Sequence, residues 1–218
     1  MFWMLPLALA YDLDELKPIG AELDVVDTQI EVAKRWYLAD GPAAEGKATQ
    51  DTLRKAATRA REIHRKLSAM DAHLANGKKR DQDRLPEVRA LSARIDAQNL
   101  TRASALYLLD AGFAIDALEA GDEPAFAQLN NALYMAVTSR DLQADDDLDA
   151  WIRKPLELAV SMEQWKLTYS WGTWCAAVCT DKSLPEAALA KLPERHGKDV
   201  RWLALAKKKD VSELEAHR

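Results

Sequence analysis

Two stretches in the first third of the chain set their apolar residues three and four apart, with a Gly-Pro pair between them. Leu23, Val26, Ile30, Ala33 and Tyr37 form the first row, and Leu53, Ala57, Ala60, Ile63, Leu67, Met70 and Leu74 form the second. That spacing gathers each row on one face of an α-helix. The rows predict helices over about 21–39 and 50–75, closed by Asp40-Gly41-Pro42 and Asn76-Gly77. Glycine supplies a C-cap and proline cannot continue a helix. Each stripe needs cover, and the two supply it to one another as an antiparallel hairpin.

The rest of the chain reads the same way. Pro86 suits the first turn of a third helix with Val88, Leu91 and Ile95 inward. Leu100–Ala120 is apolar on most sides and is expected to lie centrally. Gly121-Asp122-Glu123-Pro124 is a break before a helix over 124–138, and Asp145–Asp149 is an acidic loop and N-terminal turn. Between Trp151 and Thr180, Trp165, Leu167, Tyr169 and Trp171 alternate as a strand would, but Leu158, Met162, Trp165 and Tyr169 keep helical spacing. A lone strand would have no partner, so helix is expected, broken near Gly172. Ser183 and Glu186 fit a capping box, with short helices over about 185–192 and 198–216.

The fold class that follows is all-α, a multi-helix bundle with an N-terminal antiparallel helical hairpin. Residues 1–20 form an apolar N-terminal segment and lead-in, and 21–218 a single helical domain with subdomains 21–80 and 81–218. Composition agrees: 48% of the 218 residues are hydrophobic, enough for a core, with only 8 Gly and 8 Pro.

Charge is unevenly placed. Leu53–Arg94 carries twelve Lys/Arg against five Asp/Glu, whereas Asp110–Trp151 carries one Arg against ten Asp/Glu. Arg54, Lys55, Arg59, Arg61, Arg65 and Lys66 are the residues a nucleic acid would meet. Glu62 and Asp71 interrupt them and no aromatic residue offers base stacking, so a solvated helix face is the favoured reading.

No apolar run has the length of a transmembrane helix. Phe2–Ala10 ends in Ala8-Leu9-Ala10 as a signal-peptide h-region and cleavage site would, but it lacks a basic start. A periplasmic or secreted location and a cytoplasmic one are both open. Cys175 and Cys179 are four apart on a helical face, where two separate buried thiols are expected rather than a bridge, unless the helix ends nearby.

Motifs for chemistry are sparse. Gly41–Lys47 matches the G-x-x-x-x-G-K pattern of nucleotide-binding loops, yet Ala48 stands where a metal-binding hydroxyl belongs and helical periodicity precedes it. His64 and His73 are half a turn out of phase, and no pattern of metal ligands or catalytic nucleophile occurs. No cofactor or metal is therefore expected. The distinctive feature is aromatic: Trp151, Trp165, Tyr169, Trp171 and Trp174 crowd one region, either filling gaps between Ala-rich helices or lining a ligand groove or interface. Trp165 and Trp174 are expected to be largely buried, with some of Trp151, Trp171 and Trp202 partly open. The expected function is a non-catalytic helical interaction or scaffold protein, exported or not, that binds a protein partner or itself. The alternatives are a helical enzyme or small-molecule sensor with a Trp-lined pocket and, third, nucleic-acid binding through the basic helix.

Overall fold

The computed structural model describes residues 16–77, 82–138 and 148–193, all helices and their connections. The helices are α1 (Leu16–Leu38), α2 (Ala43–Ala75), α3 (Leu85–Glu119), α4 (Ala125–Thr138), α5 (Leu148–Ser161), α6 (Trp165–Val178) and α7 (Ser183–Leu189). The Phe2–Ala10 run, part of the Lys78–Arg84 loop, Asp145–Asp147, Trp202 and the helix expected over 198–216 lie outside the described residues. The chain divides into two compact units. One holds described residues 16–109 and 135–138, the other 110–134 and 148–193, so α3 runs through the division.

In the first unit α1 and α2 form the hairpin. Trp36, near the end of α1, lies against Gly46 at the start of α2. Glu22, near the start of α1, meets Arg59 at the midpoint of α2. That order makes the helices antiparallel. The early part of α3 runs back along α2, with Arg89 paired to Asp71 at 2.6 Å and Asp96 lying 3.6 Å from His64. Leu16, Ile19 and Leu23 of α1, Ala60, Ile63, Leu67, Met70 and Leu74 of α2, and Val88 and Ile95 of α3 make one buried cluster. Removing such side chains from water is the main force holding the three helices together.

The turn between α1 and α2 is tighter than the sequence suggested, since α2 begins at Ala43 rather than near residue 50. The Gly41–Lys47 motif is therefore a two-residue turn followed by the first turn of α2, and its glycines serve packing. A Cβ at Gly41 would stand 2.2 Å from Trp36 Cδ1, and one at Gly46 2.5 Å from Trp36 Cε2 and Cζ2. Trp36 Nε1 also donates to the Pro42 carbonyl at 2.9 Å. Trp36 is 5% exposed, and the three-four row read from the sequence had passed over it.

Helix ends follow one pattern with an unexpected residue choice. At the ends of α1, α3 and α5 the amides of Gly41, Asp122 and Gln164 reach back five residues to the carbonyls of Trp36, Ala117 and Ala159. Each such turn needs one left-handed residue. Gly121 fills it with φ 94°, but Asp40 with φ 50° and Glu163 with φ 55° fill the other two. Glycine at 41 is thus not the left-handed cap. The break between α5 and α6 falls at Glu163, and Gly172 lies inside α6, where its missing side chain admits Leu189. One uninterrupted helix replaces the two expected across 86–120, because no Gly or Pro separates Ile95 from Leu100.

In the second unit α5, α6 and α7 pack on one another. The expected capping box is absent. Lys182 is the N-cap of α7 and makes no side-chain cap bond, while Asp181 just before it accepts from the Ser183 amide at 2.9 Å. Asp149 accepts the amides of Thr180 and Asp181, each at 2.8 Å, pinning the α6–α7 link to the start of α5. Cys175 and Cys179 are joined in a disulfide, which overturns the expectation of two separate thiols. Cys179 has left the helix, with ψ 148°, so the pair escapes the geometry that disfavours a bridge within a regular helix.

The Trp36 contact sets a prediction with a definite sign. Gly→Ala in an unobstructed helix stabilises by about 0.5–1 kcal/mol. Gly46→Ala should instead destabilise by about 1–3 kcal/mol through overpacking on a buried ring. Urea denaturation of the two proteins measures it, and a gain in stability would show that the ring does not fix this turn.

Candidate interaction surface

α6 is built around a narrow inward face. Thr168, Trp171, Gly172, Cys175 and Ala176 are its buried residues, at helical spacing. Trp171 Nε1 donates to Asn130 Oδ1 of α4 at 2.8 Å, satisfying the one polar atom of a ring that is 6% exposed. On α5, Trp151 is buried with Ile152, Pro155, Leu156 and Ala159. Two of the five aromatic candidates therefore fill the core.

The remaining three are half-buried on α6. Trp165 and Tyr169, one turn apart, lie on one flank of the inward face. Trp174 lies on the other flank, with half-buried Leu167 two turns before it and Val178, 38% exposed, one turn after. Tyr134 of α4, one turn beyond the Asn130 that holds Trp171, is 65% exposed. The expected burial of Trp165 and Trp174 is thus overturned: Trp151 and Trp171 are the buried rings, and Trp165 and Trp174 are partly open. Spacing had placed Trp165 on the inner stripe of the preceding segment, but the left-handed residue at Glu163 ends α5 and resets the register for α6.

A groove of about 270 Å3 lies between α5 and α7, lined by Leu156, Glu157, Val160, Ser161, Leu184, Ala187, Ala188 and Lys191. None of the five aromatic candidates is among them. No cluster of three or more His, Cys, Asp or Glu suited to a metal occurs among the described residues. No helix there is long and apolar enough to cross a membrane.

The basic candidates lie along α2 and are exposed. Arg59 is engaged in cis, its Nε and Nη2 donating to the two Glu22 oxygens at 2.8 and 3.0 Å and its Nη1 to Glu62 at 3.2 Å. Those bonds hold the Glu22 carboxyl below its usual pKa. Arg61 and Arg65 donate at 3.4 Å to the carbonyls one turn before them, Ala57 and Arg61. On α3, Arg94 reaches both Asp24 and Asp27 of α1. The positive face is thus interleaved with carboxylates from α1 and α3, which lowers its potential toward a polyanion.

One feature of α3 escaped the sequence reading. Gln98 and Arg102, one turn apart, are 4% and 7% exposed. Gln98 Nε2 donates to the Leu23 carbonyl at 2.8 Å and to Asp27 at 2.6 Å. Arg102 Nη2 donates to Asn99 at 2.6 Å, but Arg102 Nη1 and Gln98 Oε1 have no hydrogen-bond partner. Burial, and then the positive charge of Arg61, pull the Arg102 pKa down. Their burial in the folded unit makes these groups unusual, so no linear pattern announces them.

Two measurements follow. Replacing a buried charged group by an apolar one of like length is often neutral or stabilising. Arg102→Met is expected to raise stability by about 1 kcal/mol in thermal unfolding, and a loss of that size would show that the guanidinium is better satisfied than its geometry suggests. Glu22→Gln should cost about 0.2–1 kcal/mol at pH 7, the range for an exposed pair. Because folding depresses the Glu22 pKa, its contribution is present above the unfolded-state value and is lost as pH falls through the folded-state value. The difference between the two proteins should therefore vanish on acidification. No protein-family model, no curated protein and no solved structure matches this chain.

Proposed function

We propose that the chain is a non-catalytic helical interaction protein that presents the Leu167–Trp174–Val178 flank of α6 to a protein partner. One observation carries this reading: Trp151 and Trp171 are buried, whereas Trp174, in the same segment, stays partly open beside an exposed valine. Tryptophan is over-represented among residues that dominate binding energy, and covering a partly exposed ring contributes roughly 25 cal/mol per Å2 of apolar area. A second copy of the chain is one form of such a partner. Export fits the same reading, supported by the Cys175–Cys179 disulfide and by the apolar Phe2–Ala10 run.

The test places a photo-crosslinking amino acid at position 174 in the source cells, with Ser68, an exposed residue of α2, as control. Position 174 should give a discrete protein adduct and position 68 none. Trp174→Ala should abolish the same association while leaving the fold intact, whereas Trp151→Ala should cost about 3–5 kcal/mol of stability. Absence of an adduct at 174, or equal adducts at both positions, would overturn the proposal.

A further inference from the structure

The Cys175–Cys179 bridge joins residues four apart at the end of α6 and ties that helix to no other element. A cross-link closing so small a loop removes little freedom from the unfolded chain, so little of the fold's stability rests on it. Its effect is local. We propose that the bridge is a reversible redox device that sets where α6 ends. Closed, it stops the helix at Val178; opened by a dithiol reductant, it lets the helix run on through Cys179 and Thr180. Three features of the second unit carry this.

The first is the geometry of the last turn. The Cα atoms of Cys175 and Cys179 lie 4.8 Å apart. Four residues of regular α-helix rise about 6 Å along the axis. Cβ atoms at that spacing lie about 5–6 Å apart, against the roughly 3.5–4.5 Å that a disulfide requires. The bridge therefore exists only in a turn drawn in from regular helix, and a regular turn exists here only without the bridge.

The second is that the local sequence supplies no other stop. From Ala176 to Leu184 there is neither Gly nor Pro. Cys179 itself is helical in all but one angle. Its φ is −69° and its amide donates to the Cys175 carbonyl at 2.8 Å, while only ψ, at 148°, is extended. Rotation about that one bond returns the chain to the helix.

The third is that both arrangements satisfy the same backbone groups. With the bridge closed, the Thr180 amide donates to Asp149 Oδ1 at 2.8 Å, and the Ala176 carbonyl accepts from Lys182 Nζ at 2.9 Å. With it open, the Thr180 amide donates to the Ala176 carbonyl, the ordinary bond to the residue four before it. The ammonium of Lys182, an exposed residue, then turns to water. Asp181 keeps its amide on Asp149 Oδ2, and Asp181 and Lys182 remain as a two-residue connection to α7, a length that helical hairpins use. Two arrangements so alike in bonding differ little in free energy, and a local covalent change selects between them.

The chemistry is thiol–disulfide exchange. A thiolate of the dithiol attacks one Sγ, and the electron pair of the S–S bond leaves on the other sulfur. The second thiolate of the reductant then displaces the first sulfur and closes the reductant's own disulfide. The dithiol's two protons end on the Cys175 and Cys179 thiols. The two cysteines are 0% and 2% exposed, so attack proceeds through opening of the helix end, where Ala177, Val178 and Thr180 are already exposed. The proposal concerns the end of α6 and stands apart from the α6 flank as a partner surface.

The experiment records NMR spectra of the full 13C,15N-labelled chain before dithiothreitol, after it, and after its removal with reoxidation. The Cβ shifts of Cys175 and Cys179 report the bridge, and the Cα shifts of Cys179 and Thr180 report the backbone. On reduction the Cβ lines should move to thiol positions. The Cα lines of Cys179 and Thr180 should move from the extended to the helical side, the lines of α5 and α7 should stay dispersed, and reoxidation should reverse every change. Cys175→Ser with Cys179→Ser should give the helical shifts without reductant. If that variant fails to fold, Asp149→Ala takes its place. Cys179 should stay extended in it while the bridge is closed, although Thr180 has lost its acceptor, and become helical once the bridge is open. A bridge that dithiothreitol does not open in the folded chain overturns the proposal. So does an open bridge with unchanged Cα shifts, a collapse of dispersion on opening, or a helical Cys179 in Asp149→Ala with the bridge closed.

Discussion

The indole of Trp36 lies where two glycines have left room for it, and the geometry of the first unit starts from that contact. With a side chain at either Gly41 or Gly46 the ring would collide with carbon at 2.2–2.5 Å. With none, α1 can end, reverse within four residues and let α2 begin close against it. The hydrogen bond from Trp36 Nε1 to Pro42 fixes the turn residue that has no amide of its own to donate. Once this end is closed, the register of the hairpin is set along its length. Leu16, Ile19 and Leu23 fall against the far half of α2, and Glu22 falls opposite Arg59. A motif resembling a phosphate loop is thereby accounted for by packing, since close approach of a backbone to any large planar group selects glycine.

Electrostatics in this unit works by interleaving. Glu22, Asp24 and Asp27 of α1 and Asp71 of α2 face Arg59, Arg94 and Arg89. Each exposed pair contributes little to stability, but together they set which helix faces can lie side by side. The surplus of positive charge along α2 is thus partly a matching surface for its neighbours. Arg102 departs from the scheme, being buried with a single side-chain acceptor, and it marks where polar chemistry enters the interior of α3 at a cost.

The second unit is held by short-range constraints around the end of α6. The Cys175–Cys179 disulfide, the Asp149 carboxylate under Thr180 and Asp181, and the Lys182 ammonium on the carbonyls of Ala176 and Cys179 all converge on one connection. They satisfy backbone groups that a helix end leaves without partners. The same constraints orient α6, sending Trp171 inward to Asn130 and leaving Trp174 and Val178 toward solvent. The proposed surface is a by-product of that orientation.

The sequence by itself determined that this chain is helical, where the apolar stripes of α1 and α2 lie, and that those helices pair head to tail. Those features depend on residue spacing and on the chain's punctuation, which are local. It also singled out the segment that holds the accessible aromatics, but it ranked them wrongly. Burial of Trp151 over Trp174 depends on the rotation of each helix, which a left-handed Glu163 reset between them. Glutamate gives no local sign of that role. The roles of Gly46 and Gly172 were decided by residues ten and seventeen positions away, Trp36 and Leu189. The disulfide was decided by where α6 stops. Gln98 is buried where α1 lies against α3, its amide bonded to Leu23 and Asp27. For Gly46, Gly172 and Gln98 the deciding contact joins residues on different elements, and such contacts exist only once burial of apolar surface has brought those elements together.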